Sequence, residues 1–383
     1  MAEKEEEGAM RRLWTRDLRN ILQAVKDGTF KYEEKDEKKI NWKSYNEAQL
    51  NELADMLQMI RDSVDIAVER IETREQKETE TRKGPGRPPV PNRDIAKVLL
   101  LQGYFGVSDR VAGGLLRVFD SKLGISQKFS YKTIERGYDP ERTKIIFDEI
   151  FKLTNEWSNF AENMFGVDGT GDPTTNKVNY ESKRAEQRKE HEKKEGTKHN
   201  DEVMNAWPNK RRDFQYSVLS GGIHTKIIGG FSTTSDHHIG ELAQFPSVME
   251  QTAENAPSLE MMLGDKLYAN RPACRLVGSY DATLFSLPKL NSTIHSKGVP
   301  EWSNMAHKLI LDPQGFLEVF HNRSISETIN SMMKRKEPTP IRKRLSWRKD
   351  TAEYLKVNLH NLRQSCYLTY LAPTLTKIPL RVN

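Results

Sequence analysis

Three carboxylates stand where their neighbours give them chemical use. Glu327 lies in Phe320–Lys334, FHNRSISETINSMMK, while Asp168 and Asp265 each end an apolar run, in MFGVDGTG and LEMMLGDKLYANR. At about 100° per residue, the spacing predicts a helix over 320–334 with Phe320, Arg323, Glu327 and Lys334 inside an arc of roughly 60°. Ile325, Ile329, Met332 and Met333 gather on the opposite face, the one that would dock on the protein. Alone, this is an amphipathic helix with an Arg323–Glu327 pair on its wet side, worth about 0.2–0.5 kcal/mol. A lone aspartate at a strand end is usually a turn or cap residue. Three acids converging from two strands and a helix are different, because they make an oxygen-rich site for hard divalent cations. Two carboxylates about 4 Å apart repel by roughly 4 kcal/mol at an effective dielectric near 20, so without cations one takes up a proton.

The spacing aromatic-x2-Arg-x3-Glu-x6-Lys resembles the Tyr-Arg-Glu-Lys signature of prokaryotic insertion-sequence transposases of the Asp-Asp-Glu class, with Phe320 where that family has Tyr. The resemblance covers roughly 92–371 and is most specific in the signature, VDGTG and GDKLYANR. It implies an α/β ribonuclease-H-like catalytic core, a mixed five-stranded sheet flanked by helices, behind an N-terminal all-α region. In that fold the first and fourth strands are neighbours, which would set Asp168 beside Asp265. It further implies that Asp168, Asp265 and Glu327 hold two Mg²⁺ or Mn²⁺ ions for phosphodiester hydrolysis and strand transfer. The partners would be DNA, as terminal inverted repeats and target, with a homodimer in the DNA complex. Arg323 and Lys334 would position phosphates, and Phe320 keeps a ring that can stack but lacks the hydroxyl. Some relatives stack a flipped base on a tryptophan in the region of Trp302; a half-buried structural tryptophan is the alternative. A structure-selective nuclease on the same fold and a non-catalytic DNA-binding regulator remain as other readings.

Composition sets outer bounds. The chain has 383 residues with 30% charged and a net charge of +6, which permits a polyanion partner without requiring one. Cys274 and Cys366 match no zinc spacing, so a reduced intracellular protein without a structural metal is expected. No apolar run approaches the roughly 18 residues of a membrane span, and MAEKEEEGAMRR lacks a signal core. A cytoplasmic, nucleoid-associated protein of a prokaryote follows as the expectation.

The elements that must position the acids can be read in order. Region 1–82 is helical: a helix around Trp14, then a capping box Ser44–Glu47 opening a long helix. There Leu50, Leu53, Leu57, Ile60, Val64, Ala67 and Ile71 form an a/d seam, for a dimer or for a hairpin against the Trp14 helix. Residues 83–91 are a Pro/Gly-rich linker whose Gly86-Arg87-Pro88 weakly resembles a minor-groove AT-hook. Region 92–160 reads as a helix-turn-helix-like DNA-binding unit with helices at 95–104, 109–119 and 130–136. Val111, Leu115, Leu116 and Phe119 would be buried, and Lys132, Thr133 and Arg136 would meet DNA. A small helical bundle packed on the core is the alternative.

Region 161–371 is the expected catalytic domain, and 372–383 is a tail. Its strands are expected at 165–169, 214–223, 226–231, 259–264 and 283–287, with helices at 239–252, 271–277 and 351–368. Between the first two strands lies the charged insertion 179–212, and His237–His238 reads better as a helix start than as a metal site. The run 334–349 holds eight Lys/Arg, Lys343 and Arg344 among them, against one acid, and is the best candidate for a phosphate track.

Overall fold

The computed structural model describes residues 13–32, 41–75, 89–125, 127–174, 214–236, 238–336 and 341–378. Its strands fix where the acids sit. The apolar runs form β1 (Met164–Pro173), β2 (Phe214–Gly222), β3 (Ile228–Thr234), β4 (Met261–Leu263) and β5 (Thr283–Phe285). They make one mixed sheet in the order β3-β2-β1-β4-β5. Strands β1, β2 and β3 pair antiparallel, while β4 and β5 run parallel to β1. The first and fourth strands are therefore neighbours, as expected. The third begins at Ile228 rather than 226, because Lys226 turns the chain at a positive φ of 58°.

Both faces of the sheet are covered, so adjacent residues enter different cores. On one face Phe165, Val167 and Val218 pack with Phe245 and Val248 of α7 (Glu241–Asn255) and Val277 of α8 (Arg271–Gly278). Leu309 of α9 (Pro300–Leu311), Leu317 of α10 (Pro313–His321), and Leu18 and Leu22 of α1 (Thr15–Lys26) complete that layer. On the other face Leu219, Ile228 and Phe231 meet Phe151 of α6 (Pro140–Ser158), Ile329 and Met333 of α11 (Ser324–Lys336), and Val357 of α12 (Ser346–Leu371).

A second core is wholly helical and cuts across the sequence blocks. It gathers Met56, Ile60 and Val64 of α2 (Trp42–Glu75), Leu99 of α3 (Asn92–Phe105) and Leu116 of α4 (Asp109–Leu123). Ile134 of α5 (Tyr131–Gly137), Ile146 of α6, and Leu355, Leu359 and Leu362 of α12 fill the rest. The heptad seam of α2 thus lies within the chain, but against α12, α6 and α3 rather than against α1, which packs on α9. Its first two seam residues, Leu50 and Leu53, are exposed. The long helix starts at Trp42, where the Asn41 side chain accepts from Ser44 N at 3.2 Å, so the expected box at Ser44 is superseded.

The three helices expected at 95–104, 109–119 and 130–136 are present as α3, α4 and α5, and they pack into the helical core with α2, α6 and α12. Gly106 ends α3 in the left-handed conformation at φ 64°, and Ser108 caps α4 by accepting from Val111 N. Of the expected buried face of α4, Leu116 is buried and Leu115 and Phe119 are half-buried against the helical core, with Ala112 beside them, while Val111 is exposed.

Candidate active site

Parallel pairing places the two aspartates. Gly166 of β1 pairs with Leu263 of β4, and Asp168 and Asp265 each lie two positions further along their own strand line. They are therefore level, just past the last paired residues of the two parallel strands. Strand β1 itself runs on to Pro173 in its pairing with β2, so Asp168 lies within the strand and not at its end, as the expected strand over 165–169 had it. Asp265 has left the strand: its Oδ1 accepts from Leu267 N at 2.7 Å and its carbonyl accepts from the Ser286 hydroxyl.

Helix α11 lies across β1 and β2 at close range. A Cβ on Gly221 would collide with Ile329, so the bare backbone at that point sets the approach. One turn beyond Glu327, Asn330 is buried, and its Nδ2 donates to Asp168 Oδ2 at 2.9 Å. Burial pushes the Asp168 carboxyl up to about 6. Glu241 and, more weakly, Glu327 push the same way, against the donors Asn330 and Gly169 N–H.

The 320–334 stretch is not one helix. It breaks at Asn322–Arg323, where the Asn322 amide donates to the carbonyls of Glu318 and Val319 and closes α10. Phe320 consequently ends α10 and is 4% exposed in the sheet core, with the Arg323 guanidinium over its ring, so it cannot stack on a base. Glu327 is exposed and takes Arg323 Nη1 at 2.9 Å. Like-charged carboxylates repel, and Glu327 has a cation beside it instead. Among the described residues no three His, Cys, Asp or Glu form a group able to hold one ion. The expected meeting of Asp168, Asp265 and Glu327 at one point is thus not assembled, although Glu327 is close enough to act on Asp168. Their donor chemistry still fits a hard cation, since all three are carboxylates.

Glu241, the first residue of α7, is the member that the sequence reading missed. It accepts from Tyr268 Oη at 2.6 Å and from Tyr216 Oη at 3.1 Å. A Cβ on Gly169 would strike Tyr216 and approach the Glu241 carboxylate, which is why β1 carries glycine there. Asp168, Asp265 and Glu241 together raise both tyrosines, on top of burial. A glutamate after Gly240 reads only as a favourable charge at a helix start.

The remaining expected contacts divide. Lys132, Arg136, Lys334 and Arg344 are exposed. Trp302 is 2% exposed, its Nε1–H donates to the Thr293 carbonyl and Arg271 covers its ring, so it is structural rather than a base-stacking platform. Lys343 pairs with Asp109 at 3.0 Å and lies over the Tyr138 ring, which withdraws it from the phosphate track. Arg348 likewise turns inward to Asp139 and Glu135. Arg87, His237 and the insertion 179–212 lie outside the described residues. No helix among the described residues is long and apolar enough to cross a membrane.

Over 350 residues, 91% of this chain and 95% of the other, the protein is 22% identical to the probable transposase for insertion sequence element ISA1214 of Archaeoglobus fulgidus. No protein-family model and no solved structure matches the chain. The likeness covers both the helical half and the sheet, and supports a relationship to transposases.

Proposed function

We propose that the protein is an insertion-sequence transposase with a ribonuclease-H-like core, cutting DNA at terminal inverted repeats and joining the freed end to target DNA. One observation carries this reading: Asp168 of β1 and Asp265, just beyond the adjacent parallel β4, follow the last paired residues by the same two positions, and the helix of Glu327 is tied to Asp168 through Asn330. The full-length likeness to a probable transposase supports it independently.

In this reading Asp168, Asp265 and Glu327 would hold two Mg²⁺ or Mn²⁺ ions, which would supply an activated water and stabilise the charge that develops at the phosphate. Asp168 and Asp265 are fixed by the sheet. Glu327 is exposed and joins them by exchanging its rotamer on Arg323 for one facing Asp168. That exchange frees the Arg323 guanidinium for a phosphate next to the scissile bond, with exposed Lys334 two turns along the same helix. Water attacks phosphorus in line and the opposite P–O bond breaks, leaving a 3′-hydroxyl. This hydroxyl then attacks a target phosphodiester in the same geometry and expels a target 3′-oxygen.

The test is a Mg²⁺-dependent assay on a labelled terminal repeat. Cleavage plus joining supports a transposase, cleavage alone a nuclease, and binding alone a regulator.

A further inference from the structure

The sheet end holds one more acid than the proposed reaction uses. Glu241 comes from α7, yet its two carboxylate oxygens are held by hydroxyls from two other elements, Tyr216 of β2 and Tyr268 of the turn that follows Asp265. The three residues therefore tie together the start of α7, the strand beside Asp168 and the turn that carries Asp265. Tyr268 is fully buried, with its ring packed 4.9 Å from Phe245, so the tether is rigid. Two buried amides on the helices of Glu241 and Glu327 have polar atoms without a partner, and one of them touches Asp168. Asn330, which bonds Asp168, is 7% exposed and its Oδ1 has no partner. Gln244, one turn beyond Glu241, is 4% exposed and neither end of its amide has a partner. Buried polar atoms are seldom left unmatched, and the free Asn330 oxygen lies on the amide that bonds Asp168, an acid with Glu241 and Glu327 acting on it.

Resting on the transposase reading, we propose that Glu241 is a positioning residue for the divalent cations: it adds negative potential behind Asp168 and fixes the Asp265 turn through Tyr268. It need not ligate. Its two oxygens are committed to phenolic hydroxyls, the arrangement by which an outer partner orients groups that do ligate. The charge and the tether separate by mutation. Glu241→Gln removes the charge but keeps an oxygen for one hydroxyl, whereas Tyr268→Phe removes one tether and leaves the charge.

The experiment is a Mn²⁺ titration of the full chain without DNA, followed by the electron paramagnetic resonance signal of free Mn²⁺, with thermal melting of each apo protein. Wild type binds, and Asp168→Asn and Asp265→Asn lose binding. Glu241→Gln weakens it about tenfold, the usual loss when an outer partner of a metal ligand is removed. Glu241→Asp, which keeps the charge, recovers most of the affinity, and Tyr268→Phe falls between wild type and Glu241→Gln. A wild-type titration for Glu241→Gln while Asp168→Asn is dead overturns the role of Glu241 and leaves the transposase reading standing. Equal weakening in Glu241→Asp and Glu241→Gln, tracking a fall in melting temperature, assigns the effect to packing and also overturns it. Full binding by Asp168→Asn sinks the cation site itself, and the inference with it.

Discussion

Asp168 and Asp172 lie on one strand and, at a spacing of four, on one face of it, but their surroundings are opposite. Asp172 is 5% exposed and receives Lys356 Nζ at 2.9 Å, with Glu353 on the same ammonium at 3.3 Å. Asp168 receives a neutral amide, and the charges nearest it are two more acids. The helical half repeats the first pattern. Lys97, 2% exposed, meets Asp65 at 2.8 Å, and Glu149, 3% exposed, meets Arg74 at 2.6 Å and Arg70 at 3.5 Å. Breaking a buried pair costs several kcal/mol, so a chain selected only for stability keeps such pairs complete. Lys97–Asp65 and Arg74–Glu149 are complete in this sense. Among the described residues Asp168 has no cation of this kind as a partner, and a carboxyl with acids around it and no cation is a candidate for function.

The sharpest way to break this contrast is to neutralise each acid. Asp168→Asn, Asp265→Asn and Glu327→Gln are expected to abolish Mg²⁺-dependent cleavage of a terminal repeat while leaving DNA binding intact. Asp168→Asn still offers an oxygen to Asn330, so its melting temperature equals or exceeds that of wild type. Substantial cleavage by any of the three removes that residue from the site. A large fall in melting temperature for Asp168→Asn would make it a structural acid like Asp172.

On the compensated side the expected loss is in stability. Lys356→Met strands the Asp172 carboxylate in the interior, beside a Glu353 that burial already pushes up to about 8, and costs about 3–5 kcal/mol, read by denaturant unfolding. Restoring balance with Asp172→Asn in the same chain should recover part of it. A Lys356→Met protein as stable as wild type would show that burial there tolerates lone charge, and the contrast with Asp168 would lose its meaning.

How much of this the sequence displays depends on how local the cause is. The strand segments themselves were legible, because apolar runs are properties of short segments, whereas the pairing of the first and fourth strands that sets Asp168 beside Asp265 came from the family resemblance and not from periodicity. Other features depend on partners distant in the chain. Glu241 looks like a helix-start charge until Tyr216 and Tyr268 arrive from 25 and 27 residues away. Lys343 reads as solvated in a basic run, while Asp109 and Tyr138 claim it. Phe320 was misplaced for a local reason of another kind: the Asn322 side chain substitutes for backbone donors and ends the helix, a competition that spacing alone does not reveal.

A smaller effect tests whether buried titratable groups of the helical half are held in one charge state. His360 of α12 donates Nε2–H to the Lys226 carbonyl at 2.8 Å, and burial lowers it from 6.5 to about 4, with Arg363 and Lys226 acting in the same sense. Below pH 6.5 the unfolded chain takes up the proton that the folded chain refuses. The stability is complete above that pH and is lost as the pH falls towards 4. Melting between pH 7 and pH 4.5 should therefore fall more steeply for wild type than for His360→Gln, which keeps a donor but does not titrate. Equal slopes would mean that the imidazole protonates in place.

The smallest expected effect separates cations that face solvent from those that the fold has claimed. Arg344 is exposed, and Lys343 beside it is paired with Asp109. If the run following α11 tracks DNA phosphates, Arg344→Ala lowers the slope of log affinity against log salt by about one, uniformly across DNA sequences. Lys343→Ala leaves that slope unchanged and instead lowers the melting temperature, because Asp109 loses its partner. Burial already lowers the Lys343 ammonium against the pull of Asp109, so its charge is committed to the protein interior. A salt slope that responds to Lys343 and not to Arg344 would reverse the division, and would place the phosphate path over the α3–α4 turn rather than along the exposed side of the run.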